Sequence, residues 1–196
     1  MANVDSAMGF RPAFHLTGGV IRMQRYLIAS GLANDIGYGD LVMKVSSGRH
    51  IDAVDGAEGD PPGILGSFAG VQYTAADGTP TWSREWITGT TTLGSADAVA
   101  FVYDDPFIIY EVQCDSGTAF AETDIGLAAD VAYTEPAANG ISRSELDTSN
   151  INTGKHLYIY DMVRREDNAV GEHAKVYVMI NEHAYRNGGV VSGQSV

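Results

Sequence analysis

Glycine punctuates this chain. The sequence holds 23 glycines, and turn-like clusters such as SSGRH, DGAEGDPPG, AADGTP, CDSGT, ANG and NTGK fall between short apolar stretches. Glycine adopts the positive φ angles that tight turns demand, but in a helix interior it costs about 1 kcal/mol relative to alanine. A chain interrupted this often favours short strands over long helices. The stretches between the turns are rich in Val, Ile, Tyr, Phe and Thr. They read as strands near residues 26–29, 40–45, 64–74, 81–88, 99–104, 107–114, 156–164 and 173–181. IRMQRYLIASGL forms no clean apolar stripe, and TDIGLAADV carries a glycine at its centre, so at most a single short turn is expected there. The expected class is all-β.

The organisation follows from where the pattern fails. Residues 1–20 show no periodicity, carry Gly18-Gly19, and hold isolated bulky groups at Met8, Phe10 and Phe14. They read as an extended arm that docks onto something else and is dispensable for folding. Residues 21–184 form the β-rich domain, and 185–196 read as a flexible tail. Within the domain, GDLVMKV alternates only loosely, which suggests a strand buried on more than one side. Residues 115–155 are the least patterned and are expected to form a long loop that packs on a neighbour.

Composition excludes several classes of function. The formal charge is −13, with 12 basic residues against 25 acidic ones. The basic residues are scattered, so no nucleic-acid footprint is expected. The single cysteine, Cys114, allows no intrachain disulfide and no Cys-based metal site. Apolar runs such as VAFVY and VYVMI are too short to cross a bilayer, and MANVDSAMGFRP lacks the pattern of a secretory signal. No cofactor motif is visible.

Four groups of residues invite chemistry. Asp104 and Asp105 stand together in VYDDPFIIYEVQCD, as an acid pair or as a turn. Pro106 pushes Asp105 towards extended backbone, and Asp side chains close turns onto nearby N–H groups. Beyond Pro106, Ile108, Tyr110, Val112 and Cys114 share a core-facing side, with Glu111 and Gln113 opposite. A strand-to-strand turn at or near the surface accounts for every residue. His173 and His183 alternate onto the solvated face of one strand, opposite Ala174, Val176, Val178 and Ile180. Being ten residues apart, roughly 33 Å along a straight strand, they cannot share an ion within one subunit. Trp82 and Trp86 share one strand face with Arg84 between them, suiting a core, a subunit contact or a sugar platform. Ser142 and Glu145 have capping-box spacing, but no apolar run follows them.

The ordered series MANVDSAMGFRP, GDLV, ILGSFAGVQYT, TPTWSREWITGT, FVYDDPFIIYEVQCD, GISRSELD and AKVYVMINEH resembles the capsid decoration, or cement, proteins of tailed bacteriophages. The resemblance runs from residue 1 to about 184. It implies a β-barrel or β-sandwich, jelly-roll-like or β-tulip-like, without an active site. The implied partners are the major capsid protein and further copies of the chain, as a homotrimer on the outer capsid surface. On this reading Met8, Phe10, Arg11, Pro12 and Phe14 contact the capsid, and Trp82 and Trp86 are candidates for a subunit interface. Two alternatives stand beside it. One is a carbohydrate-binding module or glycan hydrolase using Trp82 and Trp86 with Asp104, Asp105 or Glu111. The other is a shell-building subunit, for which the chain is short.

Overall fold

The computed structural model describes residues 3–45, 48–55 and 63–186. The turn clusters expected at SSGRH and DGAEGDPPG lie partly outside these residues, as does most of the expected tail. The described chain forms β1 (Arg11–His15), β2 (Gln24–Ile28), β3 (Leu41–Lys44), β4 (Ile51–Ala53), β5 (Ile64–Thr74) and β6 (Pro80–Ser83). It continues through β7 (Ala98–Tyr103), β8 (Ile108–Gln113), β9 (Ala128–Ala132), β10 (Glu145–Asn152), β11 (Leu157–Met162) and β12 (Lys175–Ile180). Two short 3-10 turns, Leu93–Ser95 and Glu122–Asp124, are the only helical segments among the described residues. None of their helices is long and apolar enough to cross a membrane.

Two six-stranded antiparallel sheets result, in a sandwich-like arrangement and not a closed barrel. The first runs β1-β8-β12-β11-β9-β10; the second runs β2-β7-β5-β3-β4, with β6 also paired to β5. Alternation explains the first sheet. Ile108, Tyr110, Val112 and Cys114 are buried together with Ala174, Val176, Val178 and Ile180. Tyr110 lies opposite Val178, and Val112 opposite Val176, so two apolar rows become one. Each fully buried aliphatic side chain of this size contributes about 1.5–3 kcal/mol. β3 is buried on both faces, as its loose alternation suggests: Leu41 and Met43 join the core under the first sheet, Val42 the core of the second.

β5 bends where glycine permits it. Gly66 has φ 153°, and a Cβ there would lie 1.9 Å from the carbonyl oxygen of Tyr103 at the end of β7. Only glycine lets the two strands approach that closely.

Three expectations are corrected. The stretch 115–155 holds β9 and β10, which pair with each other, β9 also pairing with β11, instead of forming one long loop. Its strands carry few large apolar groups, which hid them: in β10, Leu146 and Thr148 are the fully buried positions. The arm is not free of the domain either. β1 pairs with β8, and Asn3 exchanges hydrogen bonds with Ala169, its amide donating at 2.7 Å and its oxygen accepting at 2.8 Å. The strand expected at 81–88 ends at Ser83, after which Trp86 turns inward and exchanges backbone hydrogen bonds with Ile36.

Candidate functional site

The β7–β8 connection is a turn, and its two aspartates do different work. Asp105 Oδ1 accepts from the Phe107 amide at 2.9 Å, the side-chain-to-backbone bond of an Asx turn. The same oxygen lies 3.2 Å from His15 Nε2. His15 Nδ1 accepts from the amides of Gly19 (3.1 Å) and Thr17 (3.3 Å), which places the ring proton on Nε2, donating to Asp105. Thr17 Oγ1, 3.1 Å from Nδ1, completes an order like that of a hydroxyl nucleophile, a base and an acid. The Nδ1 lone pair is already engaged by two backbone donors, so the ring is a poor base for that hydroxyl. Its role is to staple the turn after β1 to the turn after β7.

Asp104 is buried, which corrects its expected place at the surface. Its Oδ2 accepts from the Tyr26 hydroxyl at 2.6 Å, and that hydroxyl is also bonded to the Tyr185 hydroxyl. A carboxylate leaves water at tolerable cost when a donor meets it. Burial, reinforced by the bond to Asp104, holds the Tyr26 phenol far above its ordinary range. Lys44 Nζ lies 4.8 Å from the Tyr185 ring centroid. The two aspartates therefore face different partners and share no proton.

His173 and His183 stand at opposite ends of β12. His183 is fully buried, contrary to the solvated face expected for it, because the chain turns inward after β12 and bridges to Ile64. Its Nδ1 accepts from the Tyr185 amide at 3.1 Å, and burial pushes the imidazole down to about 4. His173 meets Asp5 and Glu145, with ligand atoms all within 4.8 Å of one another. The fully buried Gln113 fills the middle of this group. Its amide nitrogen lies 2.9 Å from Glu145 Oε1 and 3.2 Å from Asp5 Oδ1, while its oxygen accepts from the Ser6 amide at 3.1 Å. A cation would have to turn that amide over and leave the Ser6 N–H facing another donor. The group is closed by an internal donor.

The tryptophans part company. Trp86 is 1% exposed and meets Tyr73 edge-on, in the core, which was one of the places its spacing suited and leaves it no surface for a subunit contact; it does not share a strand face with Trp82. Trp82 is 66% exposed and stacks on Phe101, with ring centroids 5.2 Å apart and planes 18° apart. Glu111 lies on the other sheet and pairs with Arg165 at 2.8 Å. With Trp86 buried and Glu111 on the other sheet, the two tryptophans do not line one groove with Glu111. Cys114 is a buried small hydrophobe whose thiol burial pushes far up.

Of the arm residues, Phe10 is wholly buried, its amide donating to Gly39 O at 2.8 Å and its carbonyl accepting from Ser67 Oγ at 2.7 Å. It is unavailable for docking. Met8 and Pro12 are half-buried, while Arg11 is exposed. Phe14 is 38% exposed and meets Tyr160 and Tyr177 edge-on. Sequence reasoning missed Tyr26 and Asp40. Asp40 is fully buried and accepts from Ser142 Oγ, Ser144 Oγ and the Gly37 amide; burial raises its carboxyl despite these donors. The spacing of Ser142 and Ser144, two apart in GISRSELD, was the available signal. Both hydroxyls fall on one side of an extended chain.

Compared with protein-family models, curated proteins and solved structures, the chain gives no match.

Proposed function

We propose that this chain is a virion structural protein that binds the outer surface of an assembled phage capsid and stabilises it as a decoration protein. The ordered sequence resemblance names the partner class, and one structural observation carries the reading. From β1 to β2 the chain presents Phe14 (38% exposed), Leu16 (42%), Val20 (86%) and Met23 (51%) along the outside of the sandwich. A run of bulky apolar groups at a sheet edge suits a docking seam. The seam shifts the capsid contact away from Phe10 and Met8 towards the far end of the arm, keeping Arg11, Pro12 and Phe14.

The formal charge of −13 favours the outer face, because packaged nucleic acid repels an acidic protein. Three copies arranged cyclically match a local threefold axis of an icosahedral lattice and multiply weak contacts through effective concentration. Co-sedimentation with empty expanded capsids of a tailed phage tests the reading. Saturable pelleting is expected, weakened by Val20→Asp or Met23→Asp with unchanged melting. Protein left wholly in the supernatant would overturn it.

A further inference from the structure

We infer that the outer face of the second sheet, around Trp82, is a binding site for an anionic sugar chain. This goes beyond capsid attachment and centres on Trp82, which is not part of the Phe14–Met23 seam.

The platform is built by the sheet register. Phe101 on β7 lies opposite Arg25 on β2 and opposite Gly70 on β5. Because Gly70 has no side chain, nothing stands between β7 and β6 at that level, and Trp82 reaches from β6 to lie nearly parallel on Phe101. One face of the indole is thereby fixed and the ring remains 66% exposed. Gln72, paired with Trp82 across β5 and β6, sets an amide beside the ring. Arg25 Cζ lies 5.9 Å from the Phe101 centroid, and Arg49 Nη2 donates to the Arg25 carbonyl at 3.0 Å.

Acidic residues outnumber basic ones 25 to 12, and Lys155, Arg164 and Arg165 each sit against a carboxylate. Arg25 forms no ion pair with any of the described residues, which holds for most of the basic side chains; what distinguishes it is its place against Phe101, the ring that supports Trp82. A guanidinium against the ring that supports Trp82, with a second held on the backbone of the same strand, complements a ligand that has both an anionic group and a flat apolar face. A sugar ring stacks its C–H face on the indole, offers hydroxyls to Gln72, and brings a carboxylate or sulfate to the guanidiniums. A protein partner would favour a broader apolar patch, whereas on the face of Trp82 its own strand offers Pro80 and the strand opposite offers Gln72.

Calorimetric titration of the full chain with oligogalacturonate, sulfated dextran and neutral dextran tests this. One or both anionic polymers should bind saturably, and the one that does identifies the anion. Neutral dextran should bind at least about tenfold more weakly. Trp82→Ala should abolish binding, and Arg25→Gln with Arg49→Gln should reduce it to the neutral level, with unchanged melting in both variants. Equal binding by Trp82→Ala, equal affinity for neutral dextran, or no heat from either anionic polymer at millimolar concentration would overturn the proposal. So would a Trp82→Ala variant whose mass in light scattering changes while its sugar binding does not, since the face would then join copies of the chain. Capsid pelleting should be the same for both variants as for the wild type, which separates failure here from failure of the decoration reading.

Discussion

Phe10 sits in a stretch without any periodicity, yet its ring joins the core beneath the first sheet and its backbone is tied on both sides. A single aromatic residue flanked by Gly9 and Arg11 carries no pattern; its burial depends on Gly39 and Ser67, both distant in sequence. Phe10→Ala should therefore cost about 3–5 kcal/mol, as large core aromatics do. Urea denaturation reads this directly, and a midpoint equal to wild type would mean that the ring does not belong to the core. His183 supplies a second test at this scale. Its folded value of about 4 lies below the ordinary 6.5, so the unfolded chain binds the proton first on acidification. The stability this histidine contributes is present above about 6.5 and declines as pH falls towards 4. An NMR titration should find the His183 ring neutral at about pH 5; titration at the ordinary value would contradict its burial.

Among the elements, the legible strands were those whose apolar residues alternate over five or more positions, such as β8 and β12, or fill both faces, as in β3. β1 escaped notice because Pro12 interrupts it; the proline is tolerated because β1 is the edge of its sheet. β9 is AADVA, whose small side chains give little contrast, and β4 is only three residues long. The DDP turn was legible because local chemistry determines it. The burial of Asp104 was not, since its donor Tyr26 lies 78 positions away. Glycine density indicated turns, but nothing in the sequence distinguished the glycines that allow close approach. Gly66→Ala should cost more than about 3 kcal/mol through its clash with the Tyr103 carbonyl and its strained φ. Gly89→Ala should cost only about 1 kcal/mol, because its φ of 83° is unfavourable but nothing lies within 4 Å. Similar losses at the two sites in thermal melts would remove the close-approach argument for β5.

At the scale of the whole molecule, the two sheets carry exposed apolar groups from β1 to β2 and a stacked Trp82–Phe101 pair on one face. On the decoration reading proposed above, a protein of this kind would act on the shell by linkage. A ligand that binds only the assembled form stabilises it by about 2.7 kcal/mol per site at a hundredfold excess over Kd. Copies joined as a trimer would strengthen this, and light scattering should give three times the chain mass of 20.9 kDa. A stable monomer in solution would require the lattice itself to bring the copies together. The most direct measurement is differential scanning calorimetry of empty expanded capsids with increasing amounts of this protein. The capsid transition should move to higher temperature as free protein rises, and Val20→Asp should blunt the shift. A capsid transition that stays in place at saturating protein would contradict the claim that this chain stabilises the shell.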